Sequence, residues 1–229
     1  CDLLEWNMGQ DRFRKATRAA FEEFGNLVFF DPLIYSVPIY LAKKLGIKLV
    51  IFGENPGYEY GNNEEDIGKV NLTAHTEGLS WLRKHIELGL PIDKDNTEGK
   101  PIGLEMKPSS SAIYMSHYMP WSSYQNYRKA KELGFKSLDE EWSRQVTIEN
   151  WDSIDSIGWQ INNYWKYQKF GYGRATDMAC RLIREGRMTR KEAVPVVKWQ
   201  DSLLDPNILG DFLYVAGYTV EEYSTVADR

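Results

Sequence analysis

The stretch IKLVIFGENPGYEYG, residues 47–61, decides the fold. Ile47 to Phe52 is a short, mostly apolar run in which β-branched residues predominate. Such a run predicts a buried interior strand of a parallel sheet. Upstream, apolar residues between Val37 and Leu45 recur at helical spacing, with Pro38 in the expected first turn and Gly46 as the stop. An earlier amphipathic helix is expected from Asp11, carrying Phe13, Ala16, Ala20, Phe21 and Phe24 on one face and closed by Gly25. The order helix, glycine, strand places whatever follows Phe52 at the carboxyl end of a strand, where open α/β sheets bind their ligands. There stand Gly53, Glu54, Asn55, Glu59 and Tyr60, with Pro56 and glycines bending the chain among donors and acceptors. A merely hydrophilic turn would use the same residue types, so position after the strand is what makes these residues candidates.

Outward from this stretch, Asp2 to Trp6 reads as a weaker strand with Leu3 and Leu4 buried. Residues 62–111 read as a polar insertion with one helix, Glu77 to Leu88. From Ala112 the chain turns aromatic and helical. Ser137 with Glu140, Thr189 with Glu192 and Thr219 with Glu222 each fit the reciprocal capping box that opens a helix.

Charge adds a second signal. Between Lys166 and Lys191 lie Lys166, Lys169, Arg174, Arg181, Arg184, Arg187, Arg190 and Lys191 against only Asp177 and Glu185, in a chain of net charge −5. Arginine forks and glycine-flanked amides suit phosphate oxygens, whereas helices also carry cations simply as solvated faces. Lys169 and Arg174, flanking the loop in KFGYGRAT (residues 169–176), are the retained candidates, with Arg184 secondary. Of the many rings here, Trp121 in YMPW is the candidate ligand face, and most others are expected to pack in the core. His75, His85 and His117 have no metal-binding spacing, and no metal ligand is assigned. Cys1 and Cys180 form no CxxC pair, and Cys1 lacks the setting of an amino-terminal nucleophile. No apolar run reaches the roughly 18 residues of a membrane span, and no signal peptide is visible, so a cytoplasmic location is expected.

Taken in order, GENPGYEYG after a strand, YMPW, and KFGYGRATDMACRLIREGRMTRKEA resemble the N-acetyl sugar amidotransferases of bacterial surface-polysaccharide and O-antigen biosynthesis, a branch of the PP-loop ATP pyrophosphatases. The resemblance implies a partial parallel sheet of the adenine-nucleotide α-hydrolase type, an α/β fold with a C-terminal helical region. Residues 1–61 would close the nucleotide-binding domain, 62–111 would be an insertion, and 112–229 a helical substrate or partner region. It implies ATP and Mg2+, a nucleotide-linked N-acetyl sugar, and ammonia from glutaminase and cyclase-like subunits. It places Glu54 and Asn55 at the nucleotide or activated amide, and Glu59 and Tyr60 beside the sugar or the ammonia. Lys169 and Arg174 would stand at the phosphates, and Asp155 at a cation. The family's Ser-Gly-Gly-x-Asp-Ser loop and zinc cysteines do not occur in these residues; the chain is expected to start after them, within a longer polypeptide. A PP-loop enzyme that modifies tRNA and a non-catalytic docking fragment are the competing expectations; the acidic net charge makes nucleic acid the poorer partner.

Overall fold

The computed structural model describes residues 1–7, 9–27, 30–54, 111–138, 147–154 and 160–228. Helix Glu77–Leu88, the Ser137/Glu140 box, Asn55 to Gly61, Asp155, His75 and His85 lie wholly or partly outside them. The described chain is mixed α/β and mostly helical, and it divides into two units, Cys1–Pro120 and Trp121–Arg229.

In the first unit, α1 (Gln10–Phe24) buries Ala16, Thr17, Ala20 and Phe21 along one stripe. Gly25 ends it in the left-handed region, φ 60°, its N–H bonding Phe21 O at 2.7 Å. Helix α2 runs Phe30–Leu45, so Pro38 lies inside it rather than in its first turn. A proline removes one backbone donor, and burial of Ile39 and Ala42 in the turn that follows keeps the helix going. The Ile47 N–H then bonds Ala42 O at 2.8 Å. That bond commits Ile47 to closing the helix, and β1 starts only at Leu49, ending at Phe52.

Strand β1 pairs in parallel with β2 (Ser111–Tyr114), from Leu49↔Ser111 to Phe52↔Tyr114. Strand β2 falls where the pattern predicted the approach to a helical region; with only Ala112, Ile113 and Tyr114 as its signal, it was too short to announce itself. Nor is β1 buried on both faces. Phe52 packs with Ile39 and Tyr114 under α2, flanked by Tyr35, Val50 and Ala112, while Leu49 and Ile51 are about half exposed, at 48% and 50%. Alternation of side chains puts these two on the open face. Residues Cys1–Asn7 are irregular, with Leu3 90% and Leu4 60% exposed, which overturns the expected buried strand. Two leucines among Asp2 and Glu5 leave too little apolar surface to hold one.

The second unit is helical among the described residues. It comprises α3 (Ser123–Glu132), α4 (Ile161–Phe170), α5 (Arg174–Arg184), α6 (Arg190–Gln200), α7 (Pro206–Ala216) and α8 (Val220–Ala227). Both predicted boxes are present: Thr189 and Glu192 cap α6, Thr219 and Glu222 cap α8. Asp205 caps α7 through Asn207 N, with Pro206 in the first turn. Helix α5 packs on α6, and α4 on α7. Ile161, Met178, Ile208 and Phe212 are fully buried; the Phe212 ring stands 6.1 Å from Tyr218 and 6.0 Å from Tyr223.

Candidate functional site

Because β1 and β2 are parallel, their carboxyl ends lie side by side. Beyond β1 come Gly53 and Glu54, and beyond β2 the 3-10 turn Met115–His117. Gly53 is exposed, and a side chain there would meet nothing within 4 Å among the described residues. Glu54 is half-buried. Its backbone carbonyl accepts from Ser116 Oγ at 3.0 Å, and its carboxylate Oε2 is sealed from solvent with no hydrogen-bond partner among the described residues. A buried carboxylate oxygen in this state is costly unless something else satisfies it. Tyr114, at the end of β2, feels the Glu54 charge. Burial pushes its hydroxyl above the ordinary tyrosine value, a Tyr35 hydrogen bond opposes this, and the Glu54 charge adds to the rise. Tyr114 therefore stays protonated beside that carboxylate. Asn55, Glu59 and Tyr60 are outside the described residues.

In the second unit the KFGYGRAT loop is built differently from the sequence expectation. Lys169 sits exposed in the last turn of α4, where partial desolvation holds its ammonium below the usual lysine value. Gly171 closes α4 in the left-handed region, φ 76°, and Gly173 opens α5. One amide at the start of α5 meets the protein's own carboxylate. Asp201 accepts from Thr176 N at 3.1 Å and from Thr176 Oγ1 at 2.5 Å. It thereby takes up the positive end of the helix.

Arg174 is likewise engaged, its Nε and Nη2 donating to the two oxygens of Asp152 at 2.9 and 2.7 Å. Arg181, 4% exposed, pairs with Glu149 at 3.3 Å and Asp152 at 3.7 Å. Arg187 pairs with Glu149 at 3.3 Å and Glu185 at 3.1 Å, its guanidinium 3.7 Å from the Tyr124 ring centre. Lys166 pairs with Asp177 at 2.6 Å. Much of the local positive excess is thus answered inside the fold, partly by Glu149 and Asp152, which stand upstream of the basic segment and were not counted with it. Burial pushes Glu149 up by more than its arginines pull it down. For Asp152 burial also pushes up, but Arg174 and Arg181 outweigh it and hold the carboxyl below the usual range.

Arg184 is exposed in the last turn of α5. Trp121 is half-buried, its indole Nε1 sealed and without an acceptor among the described residues. Sequence reasoning missed Ser116, Tyr114 and Asp201. A serine after a short strand carries no pattern, and Asp201 reaches the start of α5 from beyond the end of α6. No group of three His, Cys, Asp or Glu suited to a metal occurs among the described residues, and no described helix is long and apolar enough to cross a membrane.

The described chain is thus a mixed α/β protein, with a polar strand end in its first unit and a paired arginine cluster in its helical second one. The family model described as "LPS biosynthesis protein WbpG-like, C-terminal domain" matches residues 115–229, half of the chain. The chain belongs to this family, and its role is in lipopolysaccharide biosynthesis. No curated protein matches it.

Proposed function

We propose that the chain forms one wall of an ATP-dependent N-acetyl sugar amidotransferase site. In that reaction the amide oxygen of a nucleotide-linked N-acetyl sugar attacks the α-phosphorus of ATP and expels pyrophosphate. Ammonia then adds to the activated carbon and AMP leaves, giving an acetamidine. The amine sheds a proton as the new C–N bond forms, so the second step needs a base. The observation that carries the reading is Glu54: a carboxylate at the carboxyl end of a parallel strand, one oxygen buried and unpartnered among the described residues. Membership in a lipopolysaccharide-biosynthesis family supports the substrate class.

Glu54 is assigned as the proton acceptor. Asn55, Glu59 and Tyr60 keep the positions the resemblance implies, around the amide and the ammonia. Arg174 is assigned to the fold, since a phosphate would have to displace Asp152 from a two-point pair; Lys169 keeps the role at the phosphates that the resemblance implies. Mg2+ keeps the place the resemblance implies, where it would neutralise charge on the departing phosphates; no group of three ligands for it occurs among the described residues, and no step is routed through it. Ammonia would come from glutaminase and cyclase-like subunits. The exposed rings Phe170, Tyr172, Trp199 and Tyr214 support a surface for such partners.

The test is AMP release by the full-length protein with ATP, a nucleotide-linked N-acetyl sugar and ammonium. Glu54→Gln should lower turnover about 100-fold or more, the scale of a lost general base. Wild-type turnover in that variant would remove Glu54 from the role, and no sugar-dependent AMP release would remove the reaction.

A further inference from the structure

Strands β1 and β2 stop pairing at Phe52↔Tyr114. Past that point the chain after β2 coils into the turn Met115–His117, while the chain after β1 runs on through Gly53 to Glu54. Continuing the register would set Glu54 opposite Ser116, but the backbone ladder has ended. A side chain takes its place: Ser116 Oγ donates to Glu54 O at 3.0 Å, in a part-buried bond across 62 residues of sequence. Among the described residues, that bond ties the residue bearing the buried carboxylate to the neighbouring strand end. The sheet does not need it, because four residue pairs and the Ile39, Phe52 and Tyr114 cluster hold the strands together.

We propose that Ser116 is the positioning residue for Glu54. It fixes the Glu54 backbone two residues beyond the strand, so that the carboxylate is presented in one place. This rests on the reading of Glu54 as proton acceptor. A displacement of about 1 Å at a reacting group can lower a rate up to about 100-fold, so a bond dispensable for folding is not dispensable there.

The test uses the full-length protein. Ser116→Ala should lower kcat about 10- to 100-fold, with KM for the sugar nucleotide within about threefold and an unchanged melting temperature. Ser116→Thr, which keeps the hydroxyl, should restore kcat to within about threefold of wild type. In a Glu54→Gln background Ser116→Ala should add nothing, since residues acting as a unit are not additive. Independent losses from the two substitutions, or wild-type kcat in Ser116→Ala, would overturn the proposal. If Glu54→Gln itself retains wild-type turnover, it is the proton-acceptor reading that fails. Positioning is then read without activity, from the Glu54 carboxyl carbon signal in labelled protein, assigned by its loss in Glu54→Gln. A signal that moves in Ser116→Ala and returns in Ser116→Thr supports positioning, and one that stays put in Ser116→Ala overturns it.

Discussion

Gly173 shows how a glycine in a phosphate-like motif can serve the fold. A Cβ at this position would stand 2.9 Å from Asp201 Oδ1. That oxygen cannot swing aside cheaply, because the same carboxylate is buried and bonded to Thr176 N and Oγ1. Gly173→Ala should therefore cost about 1–2 kcal/mol through loss of the cap, read as a lower urea midpoint at unchanged slope; Asp201→Ala should cost a similar amount. A pH scan tests the neighbouring cluster. The Asp152 pKa is depressed in the folded state, so its stabilisation is complete above the unfolded value of about 3.9 and is lost as pH falls through the folded one. Glu149 has the opposite sign. Its pKa is raised, so its contribution is best below the unfolded value of about 4.3 and declines as pH rises through the folded one. Asp152→Asn should flatten the acid loss below about pH 4 and, by leaving Arg174 without its two-point partner, cost about 3 kcal/mol at pH 7. Glu149→Gln should flatten the decline on the other side of that pH. Urea midpoints measured from pH 3 to 7 would show both slopes, and unchanged slopes would contradict the assigned directions.

Helix boundaries were legible wherever one residue type sets them. Thr189 and Glu192 form their box with bonds of 2.8 and 3.3 Å, and Thr219 and Glu222 theirs at 2.9 and 3.1 Å. Gly25 and Gly46 likewise stop helices in the left-handed region. Thr189→Ala should cost about 1 kcal/mol, whereas Thr189→Ser, which keeps the acceptor, should cost far less; a urea titration of the pair separates the cap from the methyl group. What depends on a distant partner was not legible. Pro38 looks like a helix start when read locally, yet packing of Ile39 on Phe52 and Tyr114 carries α2 through it. Strand β2 exists because β1 offers an edge in register, and nothing in three apolar residues states that. The site divides in the same way. Glu54 was a candidate from its place after a strand, whereas Ser116 is brought beside it only by the parallel pairing of β1 with β2.

At the scale of the whole molecule the question is whether the basic segment is a field or a scaffold. Counted along the sequence it carries a large excess of cations, and a broad basic face would bind RNA through several phosphates at once. The fold changes that count. Arg174, Arg181 and Arg187 meet Asp152, Glu149 and Glu185, Lys166 meets Asp177, and the whole chain is acidic at −5. Paired and partly buried guanidinium groups hold few counterions to release, so the salt-dependent term that supplies most non-specific RNA affinity is small. Filter binding of a tRNA should accordingly be weak at about 150 mM salt, and the fall of log K with log salt should correspond to about one or two phosphates. A steep slope, equivalent to about five or more, would mean that the remaining cations form a continuous track, and would favour an RNA-modifying enzyme over one acting on a sugar nucleotide. Repeating the titration with Arg174→Ala sharpens the comparison. Loss of an arginine that serves the fold should lower the unfolding midpoint and leave the salt slope where it was, while loss of a phosphate contact would reduce the slope by about one.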